Sequence, residues 1–169
     1  MKNLFLLLFL LFIVGSGSFV QAQKISDGQT IDVNGMSVTF NILNKESVQA
    51  GGKTFDRYKV AASVKNTSNT SYNVRLSSYP QIVNNIGLVE LDCINATGAK
   101  LTSKKIQLKM KAQMINVTYS AYDKSGKFVN NTIPVTGSYY FDAGDTINDD
   151  AIFIVPQGEK PDVSVRSLK

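Results

Sequence analysis

The chain has 169 residues, a net charge of +5, one cysteine, and neither histidine nor tryptophan. Without histidine, Ser-His-Asp and Cys-His catalysis are excluded, as are zinc and copper sites that contain histidine. A single cysteine excludes an intramolecular disulfide, so the chain is not a disulfide-stabilised scaffold. The positive charge is too small and too dispersed to indicate nucleic-acid binding.

The N-terminal segment has the composition of an export signal. Lys2 precedes an unbroken apolar run over residues 4–14, and a Gly-Ser segment at 15–18 and then Phe19-Val20-Gln21 lead to a small residue, Ala22. This order is typical of a secretory signal peptide, and the run is shorter than the roughly 20 residues that a membrane span needs. We therefore expect cleavage of residues 1–22, one domain over residues 23–169 with no membrane span, and a secreted or periplasmic location.

From Thr30 onward, apolar residues recur at every second position, which is the period of a β-strand. The dipeptide Asn34-Gly35 separates two such runs and predicts a tight hairpin turn, because both residues tolerate positive φ. Residues 45–56 are polar and include two adjacent glycines, so we expect a connection between strands there. Residues 58–65 resume the alternation with their even positions facing inward.

The apolar alternation in residues 101–122 changes phase in the middle. Apolar residues occupy even positions up to Met110 and odd positions from Ile115 onward, with no glycine or proline between them. Such a change indicates either a β-bulge or a strand that crosses between sheets near Ala112-Gln113.

The C-terminal third contains further strand candidates. Pro134 is expected to interrupt the strand pattern within residues 128–141. The continuous apolar run 151–155 predicts a central strand that is covered on both faces. About nine short strands and no convincing helix predict an all-β fold, an antiparallel immunoglobulin-like β-sandwich preceded by the cleaved signal peptide.

A short aromatic motif resembles that of a known family. Residues 119–126, which read Tyr-Ser-Ala-Tyr-Asp-Lys-Ser-Gly, resemble the name-giving motif of the FxLYD-type immunoglobulin-like domains. Residues 141–156 resemble the closing segment of those domains, and residues 64–68 resemble the strand-to-turn signature of related bacterial immunoglobulin-like domains. The resemblance implies an immunoglobulin-like fold and an extracellular accessory or interaction module without catalytic residues.

The single cysteine, Cys93, is in phase with the apolar residues Val89 and Leu91. A cysteine in that position is expected to be a small buried hydrophobe. The alternative is a reactive thiol or one that pairs with another molecule.

An acidic segment lies within residues 142–150. Hard cations such as calcium bind several oxygen ligands from a flexible loop, so calcium binding is one interpretation. The spacing does not match the EF-hand pattern, and we favour a solvated turn whose polar side chains bind the local backbone. The carboxylates are those of Asp142, Asp145, Asp149 and Asp150.

A basic segment precedes the motif, with Lys105, Lys109 and Lys111 along one strand face and Lys100 and Lys104 nearby. Such a face could bind an anionic glycan, a lipid headgroup or a phosphate-bearing surface. We favour the simpler interpretation that the lysines protect an exposed strand from edge pairing.

Two pairs of tyrosines place one ring on each face of a regular strand, namely Tyr119 with Tyr122 and Tyr139 with Tyr140. An exposed tyrosine suits contacts with proteins or sugars, although a half-buried tyrosine is commoner in a β-sandwich.

These features favour a secreted, non-catalytic binding or accessory module at the cell envelope, whose partner is another envelope or extracellular protein or a glycan. We assign no catalytic, cofactor-binding or metal-ligating residue. Two alternatives stay open: a module that binds a small ligand, a glycan or calcium, and a small hydrolase with paired carboxylates. Binding predicts an exposed apolar or aromatic patch, whereas catalysis predicts a deep pocket with a carboxylate of raised pKa.

Overall fold

The computed structural model describes residues 22–76 and 85–169, which form eleven strands and no helix. The expected signal peptide therefore lies, apart from Ala22, outside the described residues. No described segment is a helix with the length and hydropathy to cross a membrane. The strands are β1 (Gln23–Ile25), β2 (Gln29–Val33), β3 (Met36–Ala50), β4 (Lys53–Asn66), β5 (Tyr72–Arg75), β6 (Gly87–Ile94), β7 (Lys100–Lys109), β8 (Lys111–Tyr122), β9 (Phe128–Phe141), β10 (Thr146–Pro156) and β11 (Asp162–Ser167).

The strands form three antiparallel sheets. Sheet 1 has the order β1-β11-β6-β7, sheet 2 has the order β10-β4-β3-β2, and sheet 3 has the order β5-β9-β8. The all-β prediction is confirmed for the described residues, which contain eleven strands where the sequence predicted about nine.

Sheets 1 and 2 contribute their buried side chains to one hydrophobic cluster. Leu91 of sheet 1 and Phe40 and Phe153 of sheet 2 are fully buried. Burial of a side chain of this kind stabilises the fold by about 1.5–3 kcal/mol, so the alternation of apolar residues is the main determinant of the two sheets. The predicted inward phase of β4 is confirmed, because Tyr58, Val60, Ala62 and Val64 are all buried.

The Asn34-Gly35 turn joins β2 to β3 as the sequence predicted. Both residues have positive φ, 55° for Asn34 and 74° for Gly35. The turn pairs Val33 with Met36 and fixes the register that turns Phe40 inward. A shift by one residue would expose every apolar side chain of this hairpin.

The phase change in residues 101–122 is a crossing between sheets. β7 ends in sheet 1 at Lys109, the amide of Met110 donates to the carbonyl of Ile86 at 2.9 Å, and β8 then begins in sheet 3. A bulge between Gln113 and Met114 follows. The two alternatives that the sequence left open are therefore both present.

Two segments predicted to be non-strand are strands. Residues 45–56 are the distal half of the β3–β4 hairpin, which turns only at Gly51-Gly52. Apart from Asp56, the side chains of this ribbon are exposed or half-buried on both faces, so it needs no apolar alternation and the periodicity did not reveal it. Pro134 does not interrupt β9, which is continuous and pairs it with Asn116. A proline is tolerated on a strand where its nitrogen faces away from the neighbouring strand.

The prediction that residues 151–155 form a doubly covered central strand was wrong. β10 is an edge strand of sheet 2. Phe153 and Val155 are fully buried, but Ile152 and Ile154 are 40% and 51% exposed on the other face. Continuous apolar character here reflects a solvent-facing apolar surface and not a second covering layer.

Sheet 3 is attached to sheet 2 through the buried side chain of Asn66, the last residue of β4. Its Nδ2 donates to the carbonyl oxygens of Thr70 at 2.9 Å and Phe141 at 3.2 Å. Its Oδ1 accepts from the amide of Ser68 at 3.1 Å and from the Ser68 hydroxyl at 2.7 Å. One amide group thus joins the end of β4, the following turn and the end of β9.

We expect Asn66→Ala to lower the free energy of unfolding by about 1–3 kcal/mol, because it leaves buried carbonyl and amide groups without partners. Chemical denaturation of the variant measures this loss. The matched control is Asn69→Ala in the same turn, where the side chain is exposed and the expected change is small. Equal effects of the two substitutions would contradict the role given to Asn66.

Cys93 is buried, as its phase predicted, and burial raises the pKa of its thiol from 9.0 to about 12. Because the thiolate is the reactive form, a thiol reagent should label the native protein slowly and the unfolded protein fast. Cys93→Ala should cost about 1 kcal/mol of stability. Labelling kinetics with and without denaturant test the first expectation, and chemical denaturation of the variant tests the second. Fast native labelling would contradict the buried position of Cys93.

Candidate binding surface

A two-stranded ribbon leaves the body of the protein as residues 112–138, here called the arm. It consists of β8 from residue 112 and β9 up to residue 138, joined by a turn at residues 123–127. Within the arm only Val135 and Ser138 are buried, and residues 112–120 are all exposed. β8 is the edge of sheet 3, with β9 as its one hydrogen-bonded neighbour among the described strands.

One face of the arm is apolar. Cross-strand partners share a face, and the register pairs Ile115 with Val135 and Val117 with Ile133. Tyr119 continues the same face toward the turn. Ile115 and Tyr119 are 46% exposed, Val117 is 39% exposed and Ile133 is 38% exposed. The arm therefore presents a contiguous row of large apolar side chains to solvent, a feature that marks interaction sites.

The middle of the opposite face is polar and uncharged, whereas Met114 toward the base and the Tyr122–Phe128 pair at the turn are exposed large hydrophobic side chains on that same face. The hydroxyl groups of Thr118 and Thr132 share a hydrogen bond of 2.9 Å across the strands. The Ser120 hydroxyl donates to the Asn130 side chain at 2.7 Å. These pairs hold the two strands in register without the help of a tertiary neighbour.

The arm ends in two aromatic side chains, Tyr122 and Phe128, which are 75% and 60% exposed. Their rings meet edge to face with centroids 5.3 Å apart. The Asp123 carboxylate closes the turn by accepting hydrogen bonds from the Ser125 hydroxyl and from the amides of Ser125 and Lys127. These bonds, the Ser125 side chain first, lower the pKa of Asp123.

The predicted acidic segment does not gather into one site. Asp145 accepts from the amide of Asp142 and pairs with Lys111 at 2.9 Å. Asp149 and Asp150 follow on β10 as consecutive residues, so their side chains leave opposite faces of the strand. Within residues 22–76 and 85–169, no group of three or more acidic or cysteine side chains is placed to hold a metal ion.

The predicted lysine face is divided between two sheets, since the chain crosses at Met110. Lys105 pairs with Glu90 at 2.9 Å and with Asp92 at 3.7 Å, both on the neighbouring strand. Lys100 pairs with Asp92 and Lys111 with Asp145, each at 2.9 Å. β7 is an edge strand, so these lysines fit the role of edge protection that we favoured.

An open groove of about 610 Å³ lies where β7 approaches the β10 edge of sheet 2. Lys59 faces Asp150 across it at 3.8 Å. The groove contains the two exposed isoleucines of β10, which the sequence had placed in the interior. Its lining residues are Lys59, Thr102, Lys104, Asp150, Ala151, Ile152 and Ile154.

The one buried aspartate among the described residues, Asp56, is a structural group. It accepts from the Lys45 ammonium at 2.8 Å, the Gly158 amide at 2.8 Å and the Ser47 hydroxyl at 3.2 Å. These contacts, Lys45 first, lower the pKa of Asp56. A carboxylate that three donors hold in its ionised form has no proton to give.

The other shifted carboxyl groups in the described part of the chain also have lowered pKa values. Hydrogen bonds from Lys105 to Glu90 and from Lys111 to Asp145 lower the pKa of each acid. Burial raises the pKa of Asp92, but Lys100 and further cations outweigh it. A general acid at neutral pH requires the opposite shift, a raised pKa.

The exposed arm was the main feature that the sequence did not reveal. Alternation at residues 115–122 predicted a half-buried strand, and tyrosine exposure was left open. A usable signal was present, because residues 112–122 and 128–138 contain no charged side chain, whereas 18% of the whole chain is charged.

No protein-family model, curated protein sequence or solved structure matches this chain.

If the acidic segment is a solvated turn, millimolar calcium should change the melting temperature by less than about 1 °C, because no binding free energy is added to the native state. Thermal unfolding with calcium, with magnesium and with chelator measures this. A rise that grows with calcium concentration and is lost in Asp149→Asn would instead establish a cation site there.

Proposed function

We propose that this protein is a non-catalytic binding module that works outside the cytoplasm at the cell envelope, with the arm as its binding element. The single observation that carries the proposal is the exposed apolar face of Ile115, Val117, Tyr119 and Ile133 on a ribbon that projects from the core. Binding residues commonly lie on projecting segments that a rigid scaffold positions.

Two further arguments support the proposal. The leader-like composition of residues 1–22 favours export, and the resemblance of residues 119–126 to the FxLYD motif favours an accessory module of immunoglobulin-like fold. Sheets 1 and 2 with a common core are compatible with the proposed β-sandwich. The body then serves as the scaffold, and the arm supplies the contact.

A second candidate function is a small-ligand module that uses the groove between β7 and β10. The specific observation in its favour is that Ile152 and Ile154 line the groove beside the ammonium groups of Lys59 and Lys104. Such a lining suits an amphipathic anion. We rank it second because the groove is open and Asp150 offsets part of its positive charge.

The experiment measures how two double variants bind to an envelope fraction from the source cells, and both variants carry the same kind of substitution. Val117→Thr with Ile133→Thr removes apolar surface from the arm, and Ile152→Thr with Ile154→Thr removes similar surface from the groove. All four side chains are exposed and remain β-branched, so the fold should persist. Circular dichroism and melting temperature verify it.

We expect the wild-type protein and the groove variant to co-sediment with the envelope, and the arm variant to lose about tenfold or more in affinity. Loss in the groove variant alone would establish the second candidate. Equal binding by all three proteins would overturn the role of the arm.

A further inference from the structure

The absence of charge on both faces of the arm distinguishes between kinds of partner. A protein partner covers one face of a ribbon and leaves the other in water, where surfaces ordinarily carry many charged side chains. Residues 112–122 and 128–138 carry none on either face. A lipid headgroup layer surrounds the end of a ribbon that enters it, so neither face there stays in bulk water, which matches this composition.

The edge of the arm also lacks the protection that the other edges have. The three sheets have six edge strands among the described residues, and each carries at least one charged side chain, but on β8 the one charged residue is the first, at the base of the arm. β8 has no charge after its first residue, Lys111. The charged residues of the other edges are Lys24 on β1, Asp32 on β2, Arg75 on β5, Lys100, Lys104, Lys105 and Lys109 on β7, and Asp149 and Asp150 on β10.

The turn at the end of the arm combines aromatic and cationic groups. Tyr122 and Phe128 project as one edge-to-face pair, and the turn between them contains Lys124 and Lys127. Both lysines are exposed and form no ion pair within the described part of the chain. The Asp123 carboxylate accepts hydrogen bonds from the turn backbone, whereas the two ammonium groups are free, so the turn presents a net positive charge to solvent.

Tyrosine rings favour the headgroup level of a bilayer, phenylalanine occurs on the apolar side of interfacial segments, and lysines beside them are attracted to anionic lipids. The depth of such contact is limited here. β8 has an unpaired outer edge, and unpaired backbone groups cannot enter hydrocarbon. The geometry therefore allows the end of the arm to enter the headgroup layer while the base stays in water.

Resting on the function proposed above, we propose that the arm is a peripheral membrane-docking element for anionic lipid surfaces. Tyr122 and Phe128 lie in the headgroup layer, and Lys124 and Lys127 contact the anionic headgroups. Tyr119, which lies nearer the base on the other face of the ribbon, stays at the aqueous side of that layer. The occupant of the turn end of the arm is thus lipid and not a second copy or another protein.

The chain has no tryptophan, so Phe128→Trp creates a single fluorescent reporter at the docking position. The protein is expressed from the full 169-residue sequence and mixed with two kinds of vesicle, phosphatidylcholine alone and equimolar phosphatidylcholine and phosphatidylglycerol. We expect the emission to shift to shorter wavelength with the anionic vesicles, and co-sedimentation to show the same preference.

Two matched pairs of variants test the contributing groups. The double variant Lys124→Gln with Lys127→Gln removes two lysines, each of which contributes binding free energy near an anionic surface. It should therefore bind vesicles about 10- to 30-fold more weakly than the wild type. The control variant Lys53→Gln with Lys109→Gln removes the same charge from exposed positions elsewhere. Because salt screens distant charges, its vesicle affinity should stay within about twofold of wild type. Tyr122→Ser with Phe128→Ser should abolish binding to both vesicle types.

Several outcomes would overturn the lipid assignment. Vesicle binding without a shift of the Phe128→Trp emission, or equal losses in the two lysine pairs, would place the contact elsewhere. Absence of vesicle binding would also reject it, and sedimentation equilibrium would then show whether a second copy covers the arm. Arm-dependent binding to the envelope fraction without vesicle binding would leave the proposed function intact and reject lipid as the ligand.

Discussion

The side-chain amide of Asn66 is the interaction on which the placement of the arm depends. A two-stranded ribbon is at best marginally stable in water by itself. Here its base is held where Asn66 donates to the carbonyl of Phe141, the last residue of β9, whose ring is fully buried. Tyr72 stacks on that ring at 6.4 Å, and Lys111 pairs with Asp145 across the same junction. The junction fixes the start of the arm relative to the core.

Because the base is anchored, the distal residues of the arm have little part in the stability of the core. Under the proposed function, the composition of these residues is set by a ligand and not by the folding of the core. This explains why Val117, Tyr119 and Ile133 remain exposed, where a folding requirement would bury them. The same division explains why Asn66 is buried while Asn69, three residues later, is exposed. Under the proposed function, stability resides at the junction and binding at the far end.

Most of the core could be predicted from the sequence, because burial on one face imposes a period of two. The inward phase of β4 and the burial of Cys93 both followed from that rule. The rule fails where both faces are solvated, as in residues 45–56, and where a solvent face is apolar, as at Ile152 and Ile154 on β10. The arm combines both conditions, since its alternation is that of a half-buried strand although no layer covers it. Tertiary placement, which local periodicity does not encode, decides these cases.

Hydrogen exchange tests the central claim that the arm is the binding element. It is measured on the protein expressed from the 169-residue sequence, alone and with vesicles of equimolar phosphatidylcholine and phosphatidylglycerol. The account predicts fast exchange of the outer-edge amides of β8 in the free protein and new protection confined to peptides within residues 112–138 on binding. Peptides from β7 and β10, which border the groove, should not change. Protection at β7 and β10 with an unchanged arm would contradict the account.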